Sequence, residues 1–82
     1  MMSTMTGKLL REQRVRLELL QNKVAKEVGV TPTFWNRVEN GHCELPPKRV
    51  EKVAKILKLP VADISFALQH DLSKNLNKKI KT

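Results

Sequence analysis

The sequence of 82 residues contains one cysteine, no apolar run of membrane length and half as many acids as bases. Each shortage excludes something. A lone Cys43 can neither close an internal disulfide nor build a cysteine-rich zinc site. Without the roughly 18–20 apolar residues that cross a bilayer, no transmembrane helix is expected. The opening MMSTMTGK has no long apolar stretch of the secretory kind. A reducing, cytoplasmic setting fits both features. There is no Ser-His-Asp logic and no glycine-rich phosphate loop, and His42 and His70 stand isolated, so neither an enzyme nor a cofactor is expected. In His42-Cys43-Glu44, three adjacent residues cannot wrap a tetrahedral ion and no distant cysteine helps, so no metal site is expected.

What is present is positive charge. Sixteen Lys and Arg against eight Asp and Glu leave a formal net charge of +8 on a single small domain. A surplus that large on so small a body favours a polyanionic partner, nucleic acid before an anionic membrane surface. The basic residues do not line one face of a single long amphipathic helix, which sets the membrane reading aside.

Hydrophobic spacing predicts an all-α chain, with no strand pattern, repeat or low-complexity block. The first helix is expected near residues 7–18, where Leu10, Arg14 and Leu17 share a stripe and Arg14 is its odd member. The second, near 21–28, repeats Val24, Ala25 and Val28 and stops at Gly29. The third, near 32–40, opens with Thr31 as cap and Pro32 in the first turn, and turns Trp35 and Val38 inward. The fourth, near 47–58, buries Val50, Val53, Ala54 and Leu57. The fifth starts near Val61, with Val61, Ile64, Leu68, Leu72 and Leu76 as its apolar line.

The stretch Gln21 to Gly41, QNKVAKEVGVTPTFWNRVENG, carries the functional signal. Two helices separated by a turn of about three residues make a helix-turn-helix. Small Ala25 permits close approach, Gly29 a sharp exit, and Val24, Val28, Val30, Trp35 and Val38 lock the crossing. That leaves Pro32, Thr33, Phe34, Asn36 and Arg37 exposed on the second helix. A rigid helix showing a short polar face on a basic body is what reading a major groove requires.

The pattern Gln21-x-x-Val24-Ala25, then Val28-Gly29-Val30-Thr31, then Arg37-Val38-Glu39-Asn40-Gly41 resembles the lambda-repressor-like, Cro/CI-type helix-turn-helix family over about residues 7–68. The resemblance implies a compact five-helix DNA-binding domain, used as a homodimer on a palindromic operator in double-stranded DNA. It implies that Gln21 contacts phosphate and that Thr31, Thr33, Asn36 and Arg37 lie along the recognition helix. It implies that Asn40 and Gly41 bring backbone near the phosphates; from their place in the following loop, His42 and Lys48-Arg49 could reach the DNA backbone. Arg14 would pair with Glu39, which would explain a charge within an apolar stripe. This chain departs from the pattern at Glu18, Leu20, Pro32 and Phe34. Leu20 cannot cap a helix, and Phe34 is open to three readings: folding back on the domain, touching a thymine methyl, or meeting a protein.

The expected organisation is a flexible start over 1–6, a DNA-binding domain over 7–70, and a basic tail or helix extension over 71–82. Lys74, Lys78, Lys79 and Lys81 fit a solvated tail. Leu68, Leu72, Leu76 and Ile80 fit a longer helix, for which Phe66, Leu68 and Leu72 would form a dimerisation face. Two functions follow from different classes. One is a sequence-specific transcriptional regulator, a repressor by type. The alternative is a protein-binding adaptor, or the antitoxin of a toxin–antitoxin pair, on the same fold.

Overall fold

The computed structural model describes the backbone of residues 4–81 and the side chains of residues 4–73. Five α-helices follow one another: α1 (Met5–Arg16), α2 (Gln21–Val28), α3 (Pro32–Glu39), α4 (Val50–Leu57) and α5 (Val61–Lys81). A single 3-10 turn, Pro47–Arg49, leads into α4. The described residues contain no strand, so the fold is all-α, as the spacing predicts. Leu10, Val24, Val28, Trp35, Val38, Val53, Leu57 and Ile64 form one core to which every helix contributes.

Helix α1 begins two residues before its expected start, within the segment read as loose. Thr4 caps it, its Oγ1 accepting the Gly7 N–H at 2.9 Å. The next two donors are satisfied from far along the chain. Asp71 on α5 accepts the Met5 N–H at 2.9 Å, the Thr6 N–H at 3.0 Å and the Thr6 hydroxyl at 2.6 Å. A carboxylate at a helix N-terminus also meets the positive end of the helix dipole. Thr4, Met5 and Thr6 therefore belong to the helix and its cap, while residues 1–3 lie outside the described residues.

Gly7 sits inside α1 rather than at its boundary. A Cβ there would stand 2.5 Å from the carbonyl oxygen of Glu39 and 2.7 Å from that of Val38. Glycine is needed because α1 crosses directly on the C-terminal carbonyls of α3.

The expected inner stripe of α4 is observed, with Val50, Val53, Ala54 and Leu57 all buried. The helix begins at Val50 rather than at residue 47, because Pro46 and Pro47 favour a tight turn closed by Arg49 N–H to Pro46 O at 2.9 Å. Gln13 Nε2 donates to the last carbonyl of α4, Leu57 O, at 2.9 Å.

In α5 the buried face follows the predicted stripe only in part. Ile64 and Ala67 face the core, and Asp71 follows on the same side. At about 100° per residue, Val61 and Leu72 stand roughly 60–80° round the helix from Ile64 and are exposed. Leu68 reaches the core from the flank. The backbone of α5 is helical through Lys81, which extends it as the apolar spacing allows. The side chains of Lys74, Leu76, Lys78, Lys79, Ile80 and Lys81 lie outside the described residues.

The Asp71 clasp makes a pH-dependent contribution. Burial by itself would raise the Asp71 carboxyl, but the Thr6 hydroxyl and N–H, the Met5 N–H and neighbouring His70 outweigh it and hold the group below its ordinary value. The stabilisation is therefore fully present above the unfolded carboxyl's pKa of about 4 and is lost as pH falls through the folded value. Asp71→Asn should cost about 1–2 kcal/mol near neutrality. Urea titrations between pH 7 and pH 3 should show the difference from wild type constant above about pH 4 and shrinking below it. A difference independent of pH would remove the carboxylate from this role.

Candidate nucleic-acid interface

The turn between α2 and α3 is built as the glycine demands. Gly29 adopts φ 92°, and its N–H and that of Val30 both donate to Ala25 O at 2.9 Å. A side chain at Gly29 would also meet Arg49, whose Nη1 would lie 2.9 Å from the added Cβ. Arg49 uses that nitrogen to donate to Val28 O at 3.1 Å, closing the C-terminus of α2. Thr31 then caps α3, its Oγ1 accepting the Phe34 N–H at 3.0 Å, with Pro32 in the first turn. Val24, Ala25 and Val28 of α2 pack with fully buried Trp35 and Val38 of α3.

The end of α3 is held by Glu39. Its side chain is only 1% exposed. Arg14 of α1 donates to it twice, from Nε at 2.6 Å and from Nη2 at 3.1 Å. Gln21 Nε2 of α2 donates at 2.9 Å, and the Trp35 indole N–H donates from one turn earlier in α3. A third Arg14 nitrogen, Nη1, donates to Leu19 O at 2.8 Å, tying down the loop that enters α2. One carboxylate thus joins α1, α2 and α3. A buried charge is tolerable only when paired and hydrogen-bonded to this degree.

From Glu39 the bonding continues outward. Asn36 Nδ2 donates to Gln21 Oε1 at 3.3 Å. Asn40 Nδ2 donates to Asn36 Oδ1 at 3.1 Å and to Asn36 O at 3.0 Å. Beyond α3, the His42 and Cys43 N–H groups donate to Arg37 O at 2.8 and 3.3 Å, folding the loop against the helix end.

The sequence-derived candidates fall on this face as follows. Thr31, Thr33, Asn36, Arg37 and Asn40 are exposed along α3, at spacings that place Thr33, Asn36, Arg37 and Asn40 on one side of the helix. Gln21 is half-buried beside them at the start of α2. His42 is exposed in the loop after α3, and Lys48 in the 3-10 turn. Among the described residues, the side chains of Thr33 and Arg37 are engaged in none of the hydrogen bonds or ion pairs of this face. Phe34 follows the first of its three readings: it is half-buried and packs back against the core instead of standing fully exposed, since an aromatic ring at the first turn of α3 gains more by covering apolar surface than by facing water. Leu20 precedes α2 with no capping side chain and is 73% exposed, so the first N–H groups of that helix have no side-chain acceptor at the cap.

Sequence reasoning missed the amide contacts from Gln21 to Asn40 and the Arg49 contact. Two asparagines four apart on α3 are a faint signal for the first. Nothing local marks the second, because Val28 and Arg49 meet only through the tertiary packing of α2 on α4. The described residues contain no group of three or more His, Cys, Asp or Glu able to hold a metal ion, and no helix long and apolar enough to cross a membrane.

The node at Glu39 makes a quantitative claim. Arg14→Met leaves a charged carboxylate buried and should cost about 3–5 kcal/mol in urea unfolding. The double variant Arg14→Met, Glu39→Gln should recover part of that loss, because the stranded charge is gone. A cost below about 1 kcal/mol for the single variant would place the pair among ordinary surface salt bridges.

Comparison with known proteins agrees with this geometry. A family model described as a helix-turn-helix domain matches residues 7–66. The restriction-modification controller protein C.AhdI from Aeromonas hydrophila is similar in structure, at TM-score 0.68 and 24% identity, over 74% of this chain and 92% of that one. The clp gene regulator ClgR from C. glutamicum is similar at TM-score 0.68 and 23% identity, over 80% of this chain and 86% of that one. The structure of FeII HppE in complex with substrate is similar at TM-score 0.67 and 25% identity, over 77% of this chain but only 37% of that one. A search of the curated proteins gives no match.

Proposed function

Given that the chain belongs to the helix-turn-helix domain family, matched over residues 7–66, we propose that it is a sequence-specific DNA-binding transcriptional regulator. The observation that carries the reading is the outer side of α3, where Thr33 and Arg37 stand free on a helix whose inner side is locked through Trp35 and Glu39. A net charge of +8 supplies the non-specific attraction that such a reader needs. In this reading α3 enters the major groove. Thr33 and Arg37 meet base edges, with arginine able to bind guanine in two-pronged fashion. Thr31 and half-buried Phe34 flank the entry of the helix. Gln21, the uncapped start of α2, the backbone at Asn40 and Gly41, and the side chains of His42 and Lys48 meet phosphates on either side.

The same reading makes the protein a homodimeric repressor. Phe66 is 66% exposed on the side of α5 facing away from Ile64, and Leu72 at 48% and Val61 at 44% are exposed along its flank. Apolar side chains of that size call for a covering surface, and a second copy supplies one. Leu68 contributes at the edge, where it lines a groove with Pro47, Val50 and Val61. Two copies then present their α3 helices to successive major grooves about 34 Å apart, on a palindromic operator. The adaptor or antitoxin alternative would use the Pro32 and Phe34 surface or the C-terminal tail, and the first of these is weakened by Phe34 leaning on the core.

Fluorescence anisotropy on a duplex selected from a random pool tests the reading. Arg37→Ala should lose about 1–3 kcal/mol of discrimination between that duplex and its base-pair variants. Lys48→Ala should weaken binding to all duplexes alike and lower the salt slope by about one. An Arg37→Ala titration identical to wild type would contradict the assignment of α3.

A further inference from the structure

The side-chain amides on the α2–α3 face are oriented by one another in a fixed direction. A carboxylate only accepts hydrogen bonds, so Glu39 forces Gln21 to turn its Nε2 inward and its Oε1 outward. Gln21 Oε1 therefore requires a donor, and Asn36 presents Nδ2 to it. Asn36 Oδ1 is thereby turned toward Asn40, whose Nδ2 donates to it and to Asn36 O. Each amide orientation follows from the one before, starting at a buried charge that cannot reverse its role.

The donors left over are few. Both protons of Asn40 Nδ2 are engaged, so the free side-chain group of Asn40 is an acceptor, which cannot bond to a phosphate. Gln21 Nε2 has one proton on Glu39 and keeps one for an outside acceptor. Asn36, exposed in the middle of α3 where a base reader would be sought, has one Nδ2 proton on Gln21 and accepts Asn40 at Oδ1, so turning its amide to grip a base would release Gln21.

We propose that Asn36 is a positioning residue, which holds Gln21 in the orientation that offers its remaining Nε2 proton to the DNA backbone, and that base discrimination rests on Thr33 and Arg37 without it. This inference rests on the regulator reading and refines it. Asn36 governs how tightly any duplex is held, and it leaves the choice among sequences to its neighbours at i−3 and i+1.

The test compares wild type, Asn36→Ala, Gln21→Ala and the double variant on the selected duplex and on its single base-pair variants, by anisotropy. Asn36→Ala should weaken binding to every duplex by the same factor, about 2–10-fold for the loss of one hydrogen bond, with the ranking of sequences unchanged. The double variant should bind no more weakly than Gln21→Ala alone. In the DNA-free protein, the side-chain amide resonance of Gln21 should shift in Asn36→Ala, a change that general loosening of an exposed helix face would not confine to that amide. A preference flattened at one base pair, additive losses in the double variant, or binding equal to wild type would each overturn the inference alone. A wild-type protein that ranks all duplexes equally would overturn the regulator reading, and this inference with it.

Discussion

Everything on the α2–α3 face depends on one buried carboxylate. Glu39 lies at the end of α3, almost without exposure, and receives donors from α1, α2 and its own helix. Coulomb attraction in a low-dielectric interior is strong, but so is the penalty for removing charge from water. The node is thus better understood as a device for geometry than as a large net gain in stability. With all its donors in place it fixes where α1, α2 and α3 meet; with one missing, the remaining charge is stranded. That sensitivity gives the three helices one arrangement rather than several.

Helix α1 works as a strut between two charged contacts. At its start, Asp71 of α5 holds the Met5 and Thr6 donors. Near its end, Arg14 holds Glu39. Between them Gly7 lets the strut lie directly on the carbonyl oxygens of Glu39 and Val38. The helix that offers the exposed Phe66 and Leu72 is thereby tied, through α1, to the helix that offers Thr33 and Arg37. In a two-copy assembly this link would fix the spacing between recognition helices, since α3 could not tilt without breaking the Arg14–Glu39 ion pair, nor α5 without breaking the hydrogen bonds to Asp71.

Much of this was legible in the sequence, for reasons that are local. The Val24-Ala25-Val28 spacing, the Gly29 stop, the Thr31-Pro32 start and the Trp35-Val38 pair each state a helix face or boundary within a few residues. Arg14 stood out because a charge within an apolar stripe needs a partner. What escaped were contacts between distant positions. No rule of spacing links Asp71 to Thr6 or Arg49 to Val28, because the partners are brought together only when α5 and α4 pack. That Gly7 must be glycine also escaped, since its close approach to the Val38 and Glu39 carbonyls exists only once α1 packs on α3. The apolar line of α5 was only partly resolved for a related reason: Ile64 faces the core as its spacing implies and Leu68 packs at the edge, but Val61 and Leu72 keep the same helical spacing and are exposed, while Ala67, outside the line, is buried.

In the proposed reading, the exposed side of α3, with the start of α2 beside it, is the surface that meets a duplex. Titrating the selected duplex into isotope-labelled protein and following backbone amide resonances tests this directly. The largest changes should fall on Gln21 to Lys23 and on Thr31 to His42, with the core-facing residues of α4 and the outer side of α5 little altered beyond any effect of dimerisation. Changes centred on the outer side of α5, with α3 unmoved, would contradict the account.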